Sequence, residues 1–148
     1  MKLTLLLAFL FLLCSTQWAT AQTKLAFVAG VERYEKSGLT NLEFAEDDAR
    51  QVQAELTKLG FKVRPVIGDE ASLKNLNSAI DGFIASTKQL NKSDIVIVYF
   101  SGHGVQKLTE RKNAEGNTIE VEEPFFCPKD ALKNDVTTLL SLNTILKR

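Results

Sequence analysis

The chain has 148 residues, 24% of them charged and 45% hydrophobic, which fits one globular domain and excludes wholesale disorder. Its 18 basic and 18 acidic side chains balance, against nucleic-acid binding or a polybasic membrane patch, since both need a charge surplus. One histidine and two cysteines are too few for a four-ligand zinc site built from nitrogen and sulfur alone.

The N-terminus reads as a targeting segment. Lys2 precedes an apolar run from Leu3 to Cys14, broken only by Thr4, and the small-residue pattern Ala19-Thr20-Ala21 follows. A basic start, a short apolar core and an A-x-A site describe a cleavable secretory signal over residues 1–21. The apolar run is well short of the roughly 20 residues that span a bilayer. An uncleaved N-terminal anchor is the alternative reading, and bulky Leu13 disfavours lipid attachment at Cys14. Cleavage after Ala21 implies a secreted or periplasmic protein with no membrane attachment afterwards. The remaining residues 22–148 hold 17 basic and 18 acidic side chains, because Lys2 is lost, and Cys127 alone, which excludes a disulfide framework.

Beyond the signal, short apolar runs alternate with helical patterns. Lys24 to Gly30 is an apolar run closed by glycine and predicts a buried strand, and the polar stretch 31–41 predicts a loop. Leu42, Ala45, Ala49, Val52, Leu56 and Leu59 recur at helical spacing, with Gly60 placed to cap the C-terminus. Phe61 to Ile67 reads as a second strand, and Pro65, which cannot donate to a ladder, puts it at a sheet edge. Leu73, Leu76, Ile80, Phe83 and Ile84 predict a second helix. Ile95 to Phe100 is six consecutive apolar residues, which suits a strand of a parallel sheet covered on both faces. This β-α-β-α-β order implies a layered α/β fold with right-handed crossovers. Lys107 to Glu123 is dense in charge and predicts a solvated loop or a protruding hairpin, and a helix starts near Ser141. The basic cluster Lys107, Arg111, Lys112 reads as a solvated charge run, with a self-processing loop as the sharper alternative.

The chemistry gathers where the third strand ends, at Ser101-Gly102-His103-Gly104. Ligands of open α/β sheets bind at the carboxyl ends of strands. Flanking glycines let the backbone turn and approach a ligand closely, and an imidazole serves as acid or base near neutral pH.

Several segments together resemble one family. Val-Tyr-Phe-Ser-Gly-His-Gly (98–104) resembles the histidine motif of the caspase-like cysteine peptidases, the caspase and metacaspase superfamily. Leu25-Ala-Phe-Val-Ala-Gly-Val-Glu-Arg-Tyr34 resembles the first strand and its "G-x-x-x-Y" continuation. Leu42 to Ala49 is similar to the "L-x-x-A-x-N-D-A" start of the first helix, and Lys58 to Val63 to the "L-G-F-x-V" entry to the second strand. Phe126-Cys-Pro-Lys-Asp-Ala131 is similar to the "L-x-P-x-D-A" segment, so the resemblance covers residues 24–146 in order.

The resemblance implies a three-layer sandwich with a mostly parallel sheet, incomplete on its C-terminal side. It implies peptide-bond hydrolysis by a Cys-His dyad, after Arg or Lys, on a peptide or protein substrate and with no organic cofactor. His103 takes the place of the catalytic histidine, and Gly104 would offer its N–H to the oxyanion. Asp48 and Ser101 fall where the metacaspase branch lines the pocket for the side chain before the scissile bond. Asp48 equally suits charge stabilisation at a helix N-terminus, and Ser101 an ordinary turn. Calcium regulates some metacaspases, but no ligand set is legible here, so no metal site is assigned.

One departure matters. The family's nucleophile lies in a "D-x-C" pattern after the strand that follows the helix near Ser141, and no such pattern occurs in these 148 residues. Cys127, between Phe126 and Pro128, reads as a small buried hydrophobe instead. The expectation is a fragment of a longer polypeptide, with the third strand left as an open edge able to accept a strand-pairing partner. A non-catalytic caspase-like binding module is the rival function. A receiver-type phosphoacceptor fails because Asp48 lies 18 residues beyond Gly30, and a dinucleotide fold fails because Val31-Glu32-Arg33 replaces a glycine-rich turn.

Overall fold

The computed structural model describes residues 22–34 and 38–147, so the segment read as a signal, 1–21, lies outside the described residues. Strands β1 (Lys24–Gly30), β2 (Lys62–Ile67) and β3 (Ile95–Ser101) form a parallel sheet in the order β2-β1-β3. Helix α1 (Ala45–Lys58) connects β1 to β2, and α2 (Leu73–Thr87) connects β2 to β3. A second, antiparallel sheet follows: β4 (Gly104–Lys112), β5 (Thr118–Phe126) and the short β6 (Leu140–Ser141), in that order, before α3 (Leu142–Lys147).

Side-chain alternation along β1 assigns the two helices to opposite faces. Ala26 and Val28 pack with Ala49, Leu56 and Ile67, under α1. Leu25, Phe27 and Ala29 pack with Leu76, Ile80 and Phe83 of α2, and with Phe125, Phe126 and Leu140 of the second sheet. This is the layered α/β arrangement that the alternating pattern implies, with the parallel sheet in the middle. Phe27 anchors the second face at 1% exposure, its ring 5.7 Å from Phe83 and 5.8 Å from Phe100. Burying one such ring contributes roughly 1.5–3 kcal/mol.

Gly30 shows why β1 ends where it does. A Cβ there would lie 2.6 Å from the Ala49 Cβ and 3.1 Å from the Ala45 carbonyl, so the first turn of α1 sits directly on the carboxyl end of β1. Phe44, the residue before that turn, makes no side-chain cap. Glu32 accepts from the Glu46 N–H at 3.3 Å, and Glu46, Asp47 and Asp48 face the helix dipole. Gly60 follows the last turn with φ +83°, as its capping role predicts. Pro65 lies on β2, which is an edge strand.

Three expectations need correction. Leu59 continues the helical spacing of α1 but is exposed, because the helix has already ended at Lys58. Strand β3 is not covered on both faces: Val96 and Val98 are 43% and 44% exposed. Among the described residues, β3 pairs with β1 alone, and its apolar side chains border an open cleft of about 440 Å³ with Ile84, Thr87 and Ile145.

The charged stretch forms a hairpin, β4–β5, one of its two expected forms, and its turn is tied by Asn113 to the amides of Glu115 and Asn117 at 3.1 and 2.8 Å; the third correction is Glu123. Glu123, expected in a solvated run, is 5% exposed. Its carboxylate accepts from Arg111 at 2.6 Å, from Thr109 at 3.1 Å and from Ser141. These bonds tie the hairpin to the segment that leads into α3.

Burial pushes the Glu123 carboxyl up, but hydrogen bonds from Ser141, Arg111 and Thr109 and the guanidinium charge outweigh it, holding the group below its ordinary 4.5. A depressed carboxyl contributes stability above its unfolded pKa and loses it as pH falls through the folded one. Wild-type protein therefore loses thermal stability more steeply below pH 4.5 than Glu123→Gln does, as melting curves at stepped pH will measure. Equal slopes would remove Glu123 from this linkage.

Candidate active site

The carboxyl ends of β1 and β3 lie side by side, and both chains turn there. Gly30 pairs with Ser101, and the Val31 N–H donates to the Ser101 carbonyl at 2.9 Å. Gly102 then adopts φ +153°, where a Cβ would meet the Phe126 ring and the Tyr34 hydroxyl, each at 2.9 Å, and the Val31 carbonyl at 3.1 Å. No side chain fits that gap, so the turn must be glycine.

His103 emerges half-buried beyond it, held by three polar contacts. Its backbone N–H donates to the Tyr34 hydroxyl at 2.8 Å, and its carbonyl accepts from the Cys127 N–H at 2.9 Å. Its Nε2 lies 2.8 Å from the Thr40 carbonyl oxygen. A carbonyl only accepts, so Nε2 carries the hydrogen and, in the neutral ring, Nδ1 carries the lone pair. The Tyr34 ring flanks the imidazole at 5.0 Å and 48°.

Tyr34 is buried and its hydroxyl donates onward to the Val31 carbonyl at 3.2 Å. Burial pushes its pKa up to about 12; the bond from the His103 amide lowers it, and the Cys127 sulfur adds a small rise. Cys127 itself is fully buried, and burial raises its thiol above the ordinary value, with Lys107 acting weakly in the other direction. A thiol with neither access nor thiolate character is no nucleophile, which agrees with its reading as a small core residue.

Gly104 opens β4 and faces Phe126 across the hairpin. The Cys127 N–H to His103 carbonyl bond brackets this pair, so Gly104 and Phe126 form a non-hydrogen-bonded pair, and the Gly104 N–H points away from β5 toward the open edge. The same alternation places Pro124, opposite Gln106, in another pair of that kind, where its missing N–H costs the hairpin ladder nothing.

Of the four residues singled out from sequence, Ser101, His103 and Gly104 lie together at the carboxyl end of β3. Asp48 stands apart. It lies in the first turn of α1, exposed, with its backbone N–H donating to Phe44 at 2.8 Å. That turn borders the same end of the sheet, through Gly30. No contact joins the Asp48 carboxylate to His103. The sequence marks Tyr34 only as part of a strand continuation and carries no signal for Thr40, which acts through a backbone carbonyl. Among the described residues, no group of three His, Cys, Asp or Glu side chains is placed to hold a metal ion.

A family model described as the caspase domain matches residues 23–147. The crystal structure of a protein from Geobacter sulfurreducens has the same fold, with a TM-score of 0.59 and 21% identity. The likeness covers 84% of this chain and 44% of that one, so this chain spans less than half the length of that relative. No curated protein matches the chain.

Proposed function

The chain belongs to the caspase-domain family, and from that premise we propose that it is the histidine-bearing part of a cysteine endopeptidase, exported by its N-terminal segment. One observation carries this reading: the Thr40 carbonyl fixes the hydrogen on Nε2 of His103, which leaves Nδ1 to take a proton from a thiol.

The reactive cysteine, in this reading, is not among these 148 residues. Its S–H proton passes to Nδ1, and the thiolate attacks the carbonyl carbon of the scissile bond. The Gly104 N–H stabilises the resulting oxyanion. As the tetrahedral intermediate collapses, His103 returns the proton to the departing amine. Water then attacks the thioester carbonyl, giving one proton to His103, which passes it to the departing sulfur, so that the acid and the thiol are released.

Asp48 and Ser101 supply the pocket for an Arg or Lys side chain. The Asp48 carboxylate would make a charge-assisted hydrogen bond to it. Asp48→Asn is then expected to raise KM for Arg- and Lys-directed peptides roughly tenfold or more, the worth of one hydrogen bond to a charged group. Were Asp48 only a helix-end charge, the variant would lose about 0.3–1 kcal/mol of stability and leave KM unchanged.

The burial of Cys127 favours a second reading, a non-catalytic module that binds peptides. The two are separated by assaying a chain that carries a reactive thiol in a "D-x-C" pattern. Hydrolysis after Arg or Lys, together with labelling by a thiol-directed inhibitor, supports the peptidase. Peptide binding without cleavage supports the module.

A further inference from the structure

We propose that Tyr34 is the positioning residue for His103, setting both the backbone and the imidazole of the candidate catalytic histidine. Its place in the fold is the loop after β1, yet it reaches the end of β3. Its hydroxyl accepts from the His103 N–H at 2.8 Å and donates to the Val31 carbonyl at 3.2 Å. Its own N–H donates to the Asn41 side chain at 2.9 Å, next to Thr40, whose carbonyl holds Nε2. One residue therefore ties down both ends of the imidazole's frame: the backbone that carries the ring and the loop that receives its N–H.

The directions of these bonds are fixed by chemistry. A phenol has a single hydrogen, and the Val31 carbonyl can only accept, so that hydrogen goes to Val31 and the oxygen lone pairs face the His103 amide. Tyr34 keeps its hydrogen far above neutral pH, because burial pushes its pKa up to about 12. A side chain that merely filled this space would need the ring alone. The hydroxyl, meeting two backbone groups of different strand ends, marks a role beyond packing.

The catalytic meaning of this role rests on the peptidase reading, but the contacts do not. His103 is the one histidine of the sequence, so its ring signals need no assignment by mutation. The test is hydrogen exchange by NMR on the full 148-residue chain, comparing wild type with Tyr34→Phe, which keeps the ring and removes the oxygen. The ring Nε2–H and the backbone N–H of His103 should exchange roughly fivefold to tenfold faster in the variant, the equilibrium worth of one neutral hydrogen bond. The amides of Phe27 and Val28 in β1 should keep their protection, which a general loss of stability would not allow.

An unchanged ring N–H beside a deprotected backbone N–H would overturn the proposal, because the hydroxyl would then hold the backbone alone and leave the imidazole untouched. If the variant does not fold, the unaltered chain still decides. Both His103 N–H groups should then open with one denaturant dependence, and two different dependences would overturn the assignment. In a chain that carries the reactive thiol, Tyr34→Phe should lower kcat fivefold to tenfold and leave KM unchanged. An otherwise unaltered chain that carries this thiol and hydrolyses nothing would refute the peptidase reading while leaving the exchange result standing.

Discussion

Replacing His103 by alanine is expected to abolish hydrolysis of Lys- and Arg-directed peptides in a chain that carries the reactive thiol. General acid–base catalysis contributes on the order of 10²–10⁴-fold, and in the proposed mechanism the same imidazole both generates the thiolate and protonates the leaving amine. A loss of about 10³-fold or more in kcat/KM follows. The fold should survive, since the ring is half-buried and its one polar contact among the described residues is to the Thr40 carbonyl. Retained hydrolysis in this variant would refute the role assigned to His103. Cys127→Ala is the matching control. Its thiol is fully buried and raised in pKa, so hydrolysis should not change. Residues 22–148 alone should cleave nothing, and a thiol-directed covalent inhibitor should find no specific site on them.

The sheet was legible in the sequence because its signals are local. Lys24 to Gly30 and Ile95 to Phe100 announce themselves as apolar runs, and a single proline places β2 at an edge. The helical spacings of α1 and α2 are local in the same way. His103 could be placed because a histidine between glycines after a strand points to the carboxyl end of a sheet. What stayed hidden depends on partners distant in sequence. Glu123 looks like one more exposed acid until Arg111 and Ser141, 12 and 18 residues away, close on its carboxylate. The exposure of Val96 and Val98 depends on which strands flank β3, and no pattern within β3 records that. Tyr34 reaches His103 across 69 residues, and the Thr40 carbonyl offers no side-chain signal at all.

Gly102 joins the fold to the site, and Gly102→Val should damage both. Its φ of +153° belongs to a region that is almost closed to side-chain-bearing residues, at a cost of roughly 1–3 kcal/mol. The added Cβ would stand 2.9 Å from the Phe126 ring and 3.1 Å from the Val31 carbonyl. Neither neighbour yields easily. Phe126 is buried against Phe100 at 4.9 Å, and the Val31 N–H is bonded to the Ser101 carbonyl at 2.9 Å. Overpacking of this kind adds about 1–3 kcal/mol. Urea unfolding should therefore shift by roughly 2–6 kcal/mol in all. The remaining neighbour is the Tyr34 hydroxyl, also at 2.9 Å, so the strain is relieved most readily by displacing the oxygen that holds His103. Hydrolysis should fall further than the unfolded fraction explains. Gly104→Ala supplies the contrast: the nearest atom to its Cβ is the Phe125 carbonyl at 3.7 Å, and alanine keeps the outward N–H. That variant should unfold with wild type, and a Gly102→Val protein that did the same would contradict the close approach of Tyr34, Phe126 and Val31 on which the placement of His103 depends.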